Sequence, residues 1–502
     1  MNPIKDVIVV GGGTSGLITA LLLKSKFPYF NIKIVKSSNI GIIGVGEGST
    51  KEFEYFIHDV GIDFKELIVE SGATVKSGIL FNGWNDPSHS YFHSVFKSHP
   101  LEVYNQIVIH ESLQDPYCLD KFYSHYYSQN QLPLLSNTLK VTNQYHFDTF
   151  KLNKFLIKKC KERNIIVEDH YIQDVNLDIN GNIDSLTTLK NKVINGDFFI
   201  DCSGFKKVLS SKLKAKWVSY KDYLPMNRAI TLSTDLNLQK DIEPYTTCTA
   251  LKNGWTWQIP TQKKYGNGYV FSDEYTSVDN ALKELNNHLG TNVEKASKEI
   301  KFEAGRIDKF WIKNCVSIGL AGSFIEPLEA QSIGFSIKQA QTLCKYLHTW
   351  KFNKEYSSSK YNNKCNLLFD NAVNFVQIHY FTKRQDSKFW KTKPFKLTDF
   401  NQNTIKEFST GHINIDYFSL GIHFQNEISN FDLLFSPDNW YNVLQGLNII
   451  NKNNILNQIK NYGDEYQKVF FNEYQKYNQN LDYPDSISHI NYLKLIKENH
   501  SS

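Results

Sequence analysis

Paired cysteines are what this 502-residue chain most plainly lacks. The seven cysteines, at 118, 160, 202, 248, 315, 344 and 365, are odd in number and widely spaced, with no C-x-x-C among them. That spacing argues against a disulfide framework or a zinc site and suits a reducing compartment. Long apolar runs are missing too. Nothing approaches the roughly 18 consecutive apolar residues of a membrane span, and the start, Met1-Asn2-Pro3-Ile4-Lys5-Asp6, carries no apolar signal core. Charge of one sign is also scarce: 56 Lys and Arg against 51 Asp and Glu leave +5, too slight and too evenly spread to argue for nucleic acid or a membrane surface. These absences predict a soluble, cytoplasmic chain with no resident metal.

Core-forming residues are plentiful, at 41% hydrophobic and 14% aromatic. A prior of about 150 residues per domain allows roughly three domains. No internal repeat or plain linker divides the chain, and the Lys and Asn abundant after residue 350 read as a compositional habit.

The apolar β-branched run Val7-Ile8-Val9-Val10 leads into Gly11-Gly12-Gly13-Thr14-Ser15-Gly16 and then the helical pattern Leu17 to Leu23. Gly11, Gly13 and Gly16 have the G-x-G-x-x-G spacing: a tight turn, a close approach of backbone to pyrophosphate, and helix packing on strand. The free N–H groups at the helix start would face the phosphates. The bland alternative is a structural turn, and the context favours a dinucleotide site. A second strand, Ile32-Lys33-Ile34-Val35, should end in a ribose-binding carboxylate, but Lys36-Ser37-Ser38 follows. Ser37 could take part of that role, or Lys36 could favour a phosphorylated ribose, so NADP stands as a rival to FAD.

Farther along come Gly44-Val45-Gly46-Glu47-Gly48-Ser49-Thr50, Ala73-Thr74-Val75-Lys76-Ser77-Gly78 with Trp84, Gly254-Trp255-Thr256-Trp257-Gln258-Ile259-Pro260, and Gly319-Leu320-Ala321-Gly322-Ser323-Phe324-Ile325-Glu326-Pro327-Leu328-Glu329. Tyr145-His146-Phe147-Asp148, Asp201-Cys202-Ser203-Gly204-Phe205 and His379-Tyr380 follow the same order. Together these motifs resemble the flavin-dependent halogenases of the tryptophan halogenase type from about residue 7 to 390, and more patchily beyond, at Phe435 to Gly446.

The resemblance implies an α/β fold: a Rossmann-like FAD-binding domain with an interleaved β-sheet substrate region and a mostly helical C-terminal cap. Residues 1–350 would form the halogenase module, with the interleaved sheet at about 70–150 and 205–310, and residues 351–502 the cap. It decides for FAD over NADP, reduced by a separate NAD(P)H-dependent flavin reductase, with halide and O2 as co-substrates. Cofactor contacts would come from Gly11, Gly13, Thr14, Ser15, Gly16, Ser37, Val45, Glu47, Val175, Leu320 and Ile333. Gly44 to Thr50 would be a flexible strap over the flavin.

Read without the resemblance, Lys76 lies on one face of a strand in apolar surroundings, whereas an isolated lysine is ordinarily a solvated surface residue. The resemblance makes it catalytic: it meets hypohalous acid formed through a flavin C4a-hydroperoxide, either as a hydrogen-bond donor or as a haloamine. Glu326 and Glu329 suit a helix N-terminus on bland grounds. Glu329 matches the family's catalytic glutamate, which orients hypohalous acid and takes the ring proton, and Glu326 is read as structural. Gln331 and Ser332 would hold the halide through backbone N–H groups, while Ala330 replaces the usual serine and removes a hydroxyl. The changed pocket is expected to favour bromide or iodide over chloride. Trp255 and Trp257, same-face core aromatics by default, would stand between flavin and substrate.

The family's indole clamp places an aromatic two residues after a histidine, and here His93 is followed by Val95, with Phe96 next to it. The substrate pocket is therefore assigned to His93 and Phe96. An electron-rich indole, pyrrole or phenol is expected ahead of free tryptophan. A flavin monooxygenase on the same fold and a non-catalytic flavin-binding protein are the rival readings. A homo-oligomer is compatible with either.

Overall fold

The structure, a computed structural model, describes residues 4–95 apart from 43, 45 and 46, then 125–134, 139–236 apart from 143, 241–410, 433–449 apart from 436, and 485–501, with isolated residues between 450 and 485. The strand Asp6–Val10 is buried from Val7 onward because it runs between two parallel neighbours, Asn31–Lys36 and Phe198–Asp201. A central parallel strand covered on both faces needs a continuous apolar run and shows no alternation. The complete sheet has six strands, in the order Trp311–Ile312, Cys315–Ser317, Phe198–Asp201, Asp6–Val10, Asn31–Lys36, Ile166–Asp169, with the first pairing antiparallel at the edge. Helices Thr14–Lys26, Thr149–Glu162 and Gln331–Trp350 pack together beside it. Its other face, with Ile8, Val10, Val35 and Phe199, packs on Val175, Ile183, Leu186 and Ile194 of a three-stranded antiparallel sheet.

A second, seven-stranded sheet runs Lys298–Lys301, Arg228–Asp235, Lys264–Phe271, Gly254–Pro260, Thr246–Leu251, Gly78–Asn82, Ser90–Ser94. It is antiparallel except where Thr246–Leu251 meets Gly78–Asn82. Trp257 pairs across from Gly268, whose missing side chain makes room for the indole: a Cβ there would sit 2.1 Å from the ring.

The long helix Lys354–Ile378 packs against Gln331–Trp350, and one apolar core takes in residues on both sides of 350, from Val7 to Ile496. The α/β architecture with a parallel sheet and a helical C-terminal region is the one expected. One element departs from expectation. The continuous strand through Lys76 is broken: Thr74–Val75 belongs to a small sheet with Tyr145–Phe147 and Glu47–Gly48, Gly78–Asn82 belongs to the large sheet, and Lys76-Ser77 is the crossing between them. No helix among the described residues is long and apolar enough to cross a membrane.

Candidate active site

The glycine turn divides its labour by position. Gly11 has φ +121°, and a Cβ on it would lie 2.1 Å from the Cys202 carbonyl oxygen. One on Gly16 would meet the Gly11 carbonyl oxygen at the same distance. One on Gly13 would meet nothing within 4 Å and would project into open space at the start of helix Thr14–Lys26, which has no side-chain cap. The first and third glycines therefore close the turn, and the second leaves a cradle for a ligand beside free N–H groups. That cradle opens into a cavity of about 860 Å³ whose walls include Thr14, Ser15, Ser37, Glu47, Leu320, Gln331, Ser332 and Ile333.

The cavity fits a dinucleotide cofactor by more than its volume. Glu47 Oε2 is buried without a hydrogen-bond partner, and burial pushes this carboxyl up to about 7, so a cofactor hydroxyl would satisfy it. Asp201 holds the opposite turn together, accepting from Ser203 N and Oγ, Leu209 N, and Ser210 N and Oγ at 2.6–3.1 Å. Lys36 leans on Asp169 at 3.3 Å, so its charge is already answered within the chain. Helix Gln331–Trp350 begins after Ala330 at φ +53° with no side-chain cap, and the first N–H groups of such a helix lack intrahelical partners. Its positive end at the cavity wall suits an anion.

A second, small cavity of about 50 Å³ is lined by Lys76, His93, Val95, Glu329, Ile79 and Phe435, among others. Ile79 touches both spaces. Gly48 lines the large one while abutting the Lys76 ammonium and Ala330. Lys76 is 2% exposed, and its Nζ donates to the Ser49 carbonyl oxygen at 2.9 Å. Burial lowers its ammonium to about 8, opposed in part by Glu329. Backbone ties fix the segment: Lys76 N donates to Gln144 O, and Thr142 Oγ1 donates to Lys76 O.

Glu329 is gripped by two histidines. His379 Nε2 lies 2.7 Å from Oε1, and His93 Nδ1 lies 3.0 Å from both carboxyl oxygens. His379 Nδ1 must donate to the Phe375 carbonyl oxygen at 3.0 Å, so Glu329 and His379 share one further proton. Burial alone would raise the Glu329 carboxyl; the two histidines outweigh it and hold it down at about 2. The site is thus a carboxylate held between two imidazole rings, with Lys76 nearby. Glu326 points elsewhere. It is buried beside Tyr380, both carboxyl oxygens lack ordinary hydrogen bonds, and burial raises it to about 8, which keeps it neutral.

Several expected site residues take other places. Neither Glu326 nor Glu329 lies in the first turn of the helix; both precede Ala330 in a turn where Leu328 N donates to Glu326 O. Val175 does not line the large cavity but packs in the apolar layer behind the sheet, and Ile172 of the same strand reaches the wall instead. Trp257 is on that wall, while Trp255 is buried behind it with ring centroids 6.0 Å apart. Val45 and Phe96 lie outside the described residues. His379 and Asn439, which meets His93 Nε2 at 3.0 Å, had no assigned role. The His379-Tyr380 motif was the one available signal for the former.

With this geometry in place, comparison with known proteins is specific. The tryptophan halogenase family model matches residues 6–459. Tryptophan 7-halogenase RebH of Lentzea aerocolonigenes is 30% identical over 495 residues, 89% of this chain and 90% of that protein. The 7-chloro-L-tryptophan 6-halogenase KtzR of Kutzneria is 31% identical over 426 residues, 77% and 82% of the two chains. The solved tryptophan halogenase of Shewanella frigidimarina superposes with a TM-score of 0.85 at 25% identity, covering 99% of this chain and 98% of that one. The chain belongs to the tryptophan halogenase family and is a flavin-dependent halogenase.

Proposed function

We propose that this enzyme uses reduced FAD, O2 and a halide to halogenate an electron-rich aromatic ring, with an indole as the first candidate and pyrroles and phenols after it. The observation that carries the reading is the placement of Lys76 and Glu329 in one buried cavity, walled from the cofactor-sized cavity by Gly48, Ile79 and Ala330. Bound reduced FAD would supply the electrons that activate O2 and, with halide, yield hypohalous acid. The helix starts at Thr14 and Gln331 would hold pyrophosphate and halide through backbone N–H groups.

Lys76 then donates a hydrogen bond to the oxygen of hypohalous acid, which makes the halogen more electrophilic. The ring carbon gains a bond to halogen as the halogen–oxygen bond breaks. The leaving hydroxide takes a proton from the ammonium and departs as water. Glu329 removes the ring proton; even a weakly basic carboxylate suffices, because a protonated arene is a strong acid. His379 Nε2, 2.7 Å from Oε1, holds the carboxyl group in place.

Reduced flavin would come from a separate NAD(P)H-dependent flavin reductase. The monooxygenase alternative needs open access from flavin to substrate, which Trp257 and the Gly48 wall oppose. The test is a mass-spectrometric screen of indoles including tryptophan, pyrroles and phenols with a flavin reductase, NADH, FAD and each halide. Halogenated product is the expected result, and hydroxylated product alone would overturn the reading.

A further inference from the structure

His489 begins the helix His489–Ser501, beyond the span matched by the family model, yet its ring lies beside the lysine segment. The ring is fully buried. Its Nε2 is 3.0 Å from the amide nitrogen of Val75, the residue before Lys76. A backbone amide can only donate, so Nε2 accepts and the proton resides on Nδ1, which donates to the Ile242 carbonyl oxygen at 3.1 Å. The imidazole is neutral in this tautomer, and burial, which lowers it to about 4, keeps it so.

The same loop grips the other side of Lys76. Ser77 N donates to Pro244 O at 2.6 Å, two residues on from Ile242. Asp241 fixes the histidine in turn, its carboxylate accepting from His489 N and Ile490 N at 2.9 Å each. Val75 and Ser77 are thereby tied to one short loop on either side of the lysine, and the tie at Val75 passes through the imidazole. At this crossing the two regular ladders end, and beside the ties to the loop only Lys76 N to Gln144 O and Val95 N to Ser77 O join its backbone to other backbone among the described residues.

We infer that His489 is a positioning residue for Lys76: by joining the Val75 amide to the Ile242 carbonyl, it fixes the backbone from which the lysine reaches the substrate cavity. The inference rests on the reading of Lys76 given above. Removing the ring leaves a buried donor and a buried acceptor unmatched, which the segment can relieve only by shifting. A shift of about 1 Å in a group that must meet a reacting atom costs on the order of a hundredfold in rate.

The test compares the full-length enzyme with His489→Leu and His489→Gln, supplied with a flavin reductase, NADH, FAD, bromide and the best substrate of the screen. The readout is halogenated product per flavin reoxidised, which a merely stabilising residue would not move in soluble, FAD-loaded protein. We expect His489→Leu to lower this ratio by about tenfold or more at unchanged flavin reoxidation, and His489→Gln, whose amide can replace both bonds, to stay within about twofold of wild type. A ratio in His489→Leu equal to wild type overturns the proposal, as does a His489→Gln variant no better than His489→Leu. Should His489→Leu fail to fold, Asp241→Ala loosens the helix start and leaves the ring intact. Hydrogen exchange at the peptide containing Val75 and Lys76 should then quicken, and unchanged exchange overturns the proposal. If the wild type halogenates nothing, the reading of Lys76 fails, and the exchange measurement, which needs no substrate, decides the role of His489 separately.

Discussion

Lys76 shows how burial sets a side chain's chemistry. Among the described residues its ammonium donates to the Ser49 carbonyl, and its acidity is raised by the loss of water. Lys76→Ala should abolish ring halogenation while flavin reoxidation and release of hypohalous acid continue, because the lysine acts after the halide is oxidised; trapping hypohalite with a thioether alongside product assay checks both. The acidity gives a sign as well. With its value brought down from 10.5 to about 8, the ammonium is the resting form below that pH and is lost above it. Product per flavin reoxidised should therefore fall as pH rises through about 8, and a rise would favour the haloamine route instead. The motifs around Lys76 and around Glu329 were legible because each is contiguous in sequence. The histidines that make Glu329 a stable carboxylate were less so: His93 was read as a substrate contact, and His379 stands 50 residues away with nothing local to mark its partner. His489 left no trace at all, since a hydrogen bond to a backbone amide requires no particular residue at the other end.

Among the elements, the glycine turn was the most legible, because strand, turn and helix are adjacent and their demands are local. Its three glycines should separate on substitution. Gly13→Val should leave the fold intact and weaken FAD binding by about a hundredfold or more, since the side chain enters the cradle. Gly11→Ala should instead destabilise the protein, given its φ of +121° and the Cys202 carbonyl in its way. Thermal melts and FAD titration of both variants decide, and normal affinity in Gly13→Val would place the dinucleotide elsewhere. The helix starting at Gln331 carries the halide prediction. With Ala330 offering no hydroxyl, we expect bromide or iodide to outcompete chloride at equal concentrations, because chloride is the more strongly hydrated and the harder to oxidise. Product mass reports the outcome; predominantly chlorinated product would sink the idea, and Ala330→Ser would then be expected to change rate without changing preference. The break at Lys76-Ser77 escaped sequence reading because alternation of residue types continues through it. Only the pairing partners, Tyr145–Phe147 on one side and Ser90–Ser94 with Thr246–Leu251 on the other, reveal two sheets.

For the whole molecule, the order of motifs announced the architecture, whereas the depth of its integration depended on tertiary contacts. Trp311 packs on both Trp350 and Tyr361, on either side of residue 351, and Phe375 stacks on Phe435 at 4.1 Å. Helices this interlocked should not melt apart from the sheets they cover. Heating should give coincident transitions by tryptophan fluorescence and far-ultraviolet circular dichroism, whereas two separated transitions would show that the helical region folds as its own unit. The bond between Val75 and His489 spans 414 positions, and this separation has a consequence for biosynthesis. A ribosome adding about 5–20 residues per second exposes the lysine long before it exposes the imidazole tied to the backbone beside that lysine. For most of that interval of at least about 20 seconds the cofactor-sized cavity is itself unfinished, because its walls are drawn from residues between Val10 and Ala372. On the role inferred for His489, the lysine would be aligned only after every wall of the cofactor-sized cavity has been made.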